Sequence, residues 1–154
     1  MRISTAVSIG AGRHGNALIC LAPIAAGEAL LLIDGPHVSS AGKYTVQVSE
    51  RVHVEPAGAE WALLNHSCDP NCAIDFATWR LRSRAPIAPG AEITFNYLST
   101  EWELASPFDC HCGAPHCPGA IRGYRHLRRP QRDAIHALVS PFLLRKALKE
   151  PEHS

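Results

Sequence analysis

Residues 108–117 read FDCHCGAPHC, and the spacing of Cys110, Cys112 and Cys117 restricts this chain more than any other feature. C-x-C presents two thiolates from one extended bite. Gly113 and Pro115 then let the chain turn back so that Cys117 closes on the same point. Three bare thiols on one loop would be a redox liability. Zinc removes it, taking four ligands in a tetrahedron, and sulfur-rich zinc sites are structural. A closed site needs a fourth ligand. His111 and His116 are local candidates; Cys20, Cys68 and Cys72 are remote ones. Alternation along C-H-C sends His111 away from its neighbours. Cys68 is favoured, because it lies in LLNHSCDPNC, residues 63–72, a polar run behind apolar residues that a surface turn does not explain. Where such a site forms, metal binding is folding energy for the loop from about residue 106 to 123.

The rest of the composition agrees with one small domain that buries a core: 154 residues, 46% of them hydrophobic. A net charge of +1 suggests neither a nucleic-acid nor a membrane polyelectrolyte. The N-terminal MRISTAVSIGAGRHG lacks the apolar core of a signal peptide. ALICLAPIAAGEALLLI, from Ala17, holds Pro23, Gly27 and Glu28 and is no membrane span. The expected compartment is therefore the reducing cytoplasm, where cysteines serve as thiols or metal ligands rather than disulfides.

Twelve prolines and eleven glycines argue for many short elements instead of a helix bundle. Strands are expected at 16–21, after the turn in AAGEALLLI, at 73–76, at 79–83 and over EITFNY, residues 92–97. Tyr44 to Val54 alternates, breaks at Glu50-Arg51 and resumes, which is a hairpin pattern. Residues 60–64 suit a short helical turn, and 106–119 read as loop. Tyr44 and Trp61 are expected in the core. A helical period runs from Gln131 to about Lys149, with Pro141 breaking it. Arg125, Arg128, Arg129 and Arg132, with His126, form the one basic run, read as a solvated face.

His66, Ser67 and Asp69 invite a catalytic-triad reading, which fails because residues so close in sequence do not easily converge in a nucleophile–base–orienter line. A Cys–His nucleophile pair lacks an activating environment. What the motifs do resemble, taken in order, is a family. NHSCDPN, then PGAEITFNY, then FDCHCGAPHCPGAIRG are similar to the three signatures of SET-domain protein lysine methyltransferases with a post-SET zinc segment. Upstream, GNALICLAPIAAGEAL resembles the family's glycine-rich opening, so the likeness spans roughly residues 12–123. Ala17 stands where the family has the second glycine of a G-x-G pair, adding a methyl group where backbone approaches the cofactor. Ala91 replaces a glutamate common in relatives. The segment between the first two motifs is short, leaving little room for a substrate-reading insert.

The resemblance implies a mostly-β fold of several small β-sheets with a pseudoknot, a zinc-binding post-SET loop and a C-terminal helical tail. It divides the chain into a SET body (1–105), a post-SET segment (106–124) and a tail (125–154). It implies methyl transfer from S-adenosyl-L-methionine to a lysine amine of a protein, histone-like or ribosomal, with a homodimer among the arrangements it allows; the near-balanced charge leads to the expectation of no direct nucleic-acid or membrane partner. Tyr97 would align the reacting groups. Gly15, Asn16, Ala17, Asn65 and His66 would hold the cofactor. Cys68, Cys110, Cys112 and Cys117 would bind structural Zn2+. Phe95, Trp102 and Phe108 would line the substrate channel, Phe95 leaving room for more than one methyl group. The competing expectation is a SET-like zinc scaffold that binds protein without catalysis.

Overall fold

The computed structural model describes residues 1–150 of the chain; the last four residues of the expected tail lie outside them. In chain order the strands are β1 (Val7–Gly12), β2 (Gly15–Cys20), β3 (Ala29–Leu32), β4 (His37–Val38), β5 (Val46–Ser49), β6 (Val52–Val54), β7 (Asn65–His66), β8 (Cys72–Asp75), β9 (Arg80–Ser83), β10 (Thr94–Phe95), β11 (Phe108–Asp109) and β12 (Ala120–Ile121). Two helices follow, α1 (Arg129–Ile135) and α2 (Pro141–Lys149). Among the described residues the strands pair as five small sheets: β1-β2, β3-β9-β8, β4-β6-β5, β7-β10 and β11-β12. The mostly-β class is thus as expected.

Cross-strand apolar pairs fix the β3-β9-β8 sheet. Leu31 faces Leu81 and Ile74 faces Leu81, and all three are buried. The Glu50-Arg51 turn closes the β5-β6 hairpin where the alternation broke. Tyr44 is a correction: it lies before β5, 54% exposed, not in the core, whereas Trp61 is buried and donates its indole N–H to Asp34 O at 3.0 Å. β1 was not expected. Its glycines and the exposed Ile9 hide the buried face that alternation would mark.

EITFNY is a second correction. Only Thr94 and Phe95 sit in a strand; Glu92 makes a single bridge to Ile19, and Tyr97 opens a 3-10 turn over Tyr97–Ser99. Asn96 caps that turn, its Oδ1 accepting from Leu98 N at 2.9 Å. β7 and β10 run parallel, with Asn65 opposite Thr94 and His66 opposite Phe95. This joins the NHSC segment to the EITFNY segment where a knot-like crossing was expected. The loop expected over 106–119 is instead closed at its base by β11 pairing with β12.

At the C-terminal end, Pro141 starts α2 at its first turn, where the missing N–H is not needed, and Ser140 Oγ accepts from Leu143 N at 3.2 Å. The basic run is not simply a solvated face. Arg125 and His126 reach the Glu103 carboxylate, and the Arg132 guanidinium lies 4.6 Å over the Tyr124 ring. Two apolar clusters form the core. One gathers the sheets around Leu18, Leu30, Leu81 and Ile93; the other joins Cys68, Leu98 and Ile121 to Tyr124, Ile135 and Leu143. Tyr97 packs against both, at their seam.

Candidate active site and metal centre

The four sulfur atoms of Cys68, Cys110, Cys112 and Cys117 lie within 4.8 Å of one another. A tetrahedron with Zn–S bonds of 2.3 Å has sulfurs about 3.8 Å apart. The Cys68–Cys110 separation is 3.9 Å, far beyond a disulfide bond. The donor set therefore fits one zinc ion with no open position. Burial pushes the Cys68 thiol well above its ordinary range and Cys110 up to about 11. Burial also acts against a Cys112 thiolate, but the backbone N–H groups of Ala114 and Cys68 outweigh it and bring that thiol down to about 7. The other candidate ligands are placed elsewhere. Cys20 and Cys72 are buried in the first apolar cluster. His116 turns its Nε2 to the Cys68 carbonyl at 2.7 Å, so it braces the loop without joining the sulfurs.

His66 lies between this centre and Tyr97. The Tyr97 N–H donates to His66 Nδ1 at 3.0 Å, which leaves the ring proton of a neutral imidazole on Nε2. That nitrogen faces Cys68 Sγ at 3.3 Å. Burial pushes the His66 pKa down to about 4, in keeping with a neutral ring. The side chain thus hydrogen-bonds the backbone of one motif and the sulfur of another.

Tyr97 stands on the wall of a cavity of about 330 Å³. Its hydroxyl donates to the Leu64 carbonyl at 2.5 Å. Burial, with Tyr44 and Glu92 nearby, holds its pKa above the usual phenol range, so it is a neutral O–H. Around it stand Phe95, His66 and Phe108, with ring centroids 5.0, 5.3 and 5.9 Å from the Tyr97 ring. Phe95, Phe108, Asn16 and Asn65 line the same cavity. Gly15 lies beside them in β2, exposed and at a φ of +103°. Ala17 is fully buried and off the cavity wall. A side chain at Gly12, across the hairpin, would collide with the Ala17 methyl group and Glu92, so bare backbone there makes room for the extra methyl.

Trp102 is the sequence-expected channel residue that the structure sets apart. Its ring packs on Tyr124 at 6.2 Å, under the Lys146 ammonium, and is not on the cavity wall. Three residues that organise the site escaped the sequence reading. Asn71 donates to Glu92 O at 2.8 Å and accepts from Thr94 N at 3.0 Å, tying down the crossing. Glu92 holds Asn65, accepting from its Nδ2 at 2.9 Å. Glu101 lines the cavity while 7% exposed. Asn71 and Glu92 lie inside the quoted motifs, a signal that could have found them; Glu101 has none.

A family model described as SET domain matches residues 15–98, more than half of the chain. The chain belongs to the SET-domain family. Over 61 residues this SET chain is 48% identical to the protein named Methyltransferase flvH of Aspergillus flavus, covering 38% of the chain and 34% of that protein. Over 89 residues it is 36% identical to a Histone-lysine N-methyltransferase, H3 lysine-36 specific, of Gibberella zeae, covering 53% of the chain and 9% of that protein. The SET chain spans about a third or less of the length of these curated relatives. Among solved structures, it is similar to KRYPTONITE in complex with mCHG DNA and SAH, with a TM-score of 0.56 and 21% identity over 74% of this chain and 28% of that one. That likeness bears on the fold.

Proposed function

We propose that this SET chain transfers a methyl group from S-adenosylmethionine to the side-chain amine of a lysine in a protein substrate. The observation that carries the reading is the placing of Tyr97. Tyr97 lines one cavity with Phe95, Phe108 and Asn65 at the crossing of the NHSC and EITFNY segments, and the His66 ring packs edge-on against it. The names of the relatives support the reaction class.

When bound, S-adenosylmethionine supplies an electrophilic methyl group on a sulfonium. Asn16 and Asn65, with the backbone at Gly15, are the polar groups that would hold it, and His66 keeps the Tyr97 backbone in register. The amine must be neutral to attack. Free lysine has a pKa of about 10.4, so near pH 7.4 only about one amine in a thousand is neutral, a handicap of about 4 kcal/mol. Desolvation of the amine on entering the cavity works against the ammonium form and lowers that handicap. The Tyr97 hydroxyl and its Leu64 acceptor form a fixed dipole that orients the amine, and alignment of this kind is worth several kcal/mol. The inward packing of the Ala17 methyl group weighs against the scaffold reading, since it takes no space from the cavity.

The division at residues 105 and 124, a reducing compartment and a protein partner such as a histone-like or ribosomal protein belong to the same proposal. So does homodimer formation. The test is methyl transfer from labelled S-adenosylmethionine to lysine-rich proteins, read by mass spectrometry. Tyr97→Phe should lower turnover by at least about tenfold and leave cofactor affinity within about twofold. Unchanged turnover removes Tyr97 from the mechanism.

A further inference from the structure

Glu101 is a buried carboxyl group that the methyl-transfer reading does not use. It lines the cavity with Thr100, Tyr97 and Tyr44 and is only 7% exposed. One carboxylate oxygen accepts from Gln47 N at 3.1 Å, and the Thr100 side chain also bonds it. No cation of the described residues is paired with it. Arg125 and His126 reach Glu103, and Lys146 reaches Glu50 and Glu150. Lys43 is exposed at the cavity rim, its ammonium 5.5 Å over the Tyr44 ring. A buried carboxylate is normally paired, because an isolated charge is expensive to desolvate.

We infer that Glu101 is the counter-ion that the cavity keeps for an alkylammonium group of a ligand. The surroundings suit that chemistry. Aromatic faces attract a desolvated cation, and the carboxylate supplies a charge-assisted hydrogen bond. The ammonium has two sources under the proposed function, on which this inference rests: the acceptor amine, or the amino-acid end of the cofactor. For an acceptor amine the carboxylate has a second use. Burial pushes Glu101 up to about 7, so it can take a proton from the bound ammonium, one N–H bond breaking as one O–H bond forms, leaving a neutral amine.

Glu101→Gln removes the charge and keeps an oxygen for the Gln47 N–H, so the fold should survive, which a melting temperature checks. Calorimetric titrations with S-adenosylhomocysteine, n-butylammonium and uncharged butan-1-ol then decide. Wild type should bind n-butylammonium at least about tenfold more tightly than Glu101→Gln, with butan-1-ol unchanged, if the acceptor amine is the source. A similar loss confined to S-adenosylhomocysteine assigns Glu101 to the cofactor's ammonium. Equal binding of both cations by the two proteins, or no saturable n-butylammonium binding by a wild type whose S-adenosylhomocysteine affinity the variant shares, overturns the inference. A wild type that binds n-butylammonium through Glu101 but no S-adenosylhomocysteine sinks the methyl-transfer reading alone.

Discussion

Asn71→Ala should loosen the joint on which the site is built. The Asn71 amide donates to Glu92 O at 2.8 Å and accepts from Thr94 N at 3.0 Å, on either side of Ile93. Phe95 O accepts from Ser67 N at 3.1 Å, and His66 Nδ1 accepts from Tyr97 N at 3.0 Å. Several hydrogen bonds thus hold the short β10 segment, and the two shortest that Asn71 makes to it come from its side-chain amide. Alanine leaves the Glu92 carbonyl and the Thr94 N–H without that partner. Each lost bond at a half-buried site is worth about 1–1.5 kcal/mol, so the loss should be about 2–3 kcal/mol. That is a large share of a typical total of about 5–15 kcal/mol. The assay is urea unfolding at saturating zinc, where the midpoint should fall and the slope should not change. Asn71→Asp keeps an acceptor for Thr94 N but turns a carboxylate oxygen toward the Glu92 carbonyl in the donor's place, so it should also be less stable than wild type. A loss below about 0.5 kcal/mol for alanine would refute the claim that this amide secures the crossing.

Zinc removal by a chelator should unfold the segment from β11 to β12 and expose its amides to hydrogen exchange, since ligation energy there is folding energy; protection unchanged by chelation contradicts a structural metal. Gly123→Ala should destabilise by more than about 2 kcal/mol. Its φ is +138° and a side chain would strike the Trp102 carbonyl, so thermal unfolding within 2 °C of wild type would contradict the close approach. Glu101 has a folded pKa of about 7, raised by burial, so between about pH 4.5 and 7 the folded state holds a proton that the unfolded state has lost. Stability should therefore fall as pH rises through that window, and the fall should be smaller in Glu101→Gln; identical profiles would mean that the group is not buried as described.

What the residues revealed in advance followed from strong local chemistry. The C-x-C-x4-C spacing, the hairpin break at Glu50-Arg51 and the helix break at Pro141 are each dictated by geometry within a few residues, and the sulfur cluster, β5-β6 and α2 lie where those signals put them. Cys68 as the fourth sulfur needed an argument from an unexplained polar segment, because no local rule links it to a loop so far along the chain. Misreadings came where tertiary partners override local pattern. EITFNY alternates like a long strand, but Asn71 and His66 take hydrogen bonds that a sheet neighbour would have made. The resemblance alone places Trp102 in the channel. Instead its backbone N–H is drawn to Gln47 Oε1 at 3.0 Å, and its ring finds Tyr124. Tyr44 alternates with Val46, yet the strand begins only at Val46, so the tyrosine is released to the cavity rim. Glu101 could not be foreseen, since a carboxylate in STEWEL has every local reason to face water.

The most direct measurement is calorimetric titration of the zinc-loaded protein with S-adenosylmethionine, with zinc content determined on the same sample. The expected result is one zinc per chain and saturable, one-to-one cofactor binding that His66→Ala weakens. One zinc per chain with no cofactor binding, alone or with a lysine peptide present, would contradict the methyltransferase reading and leave a SET scaffold built around a metal.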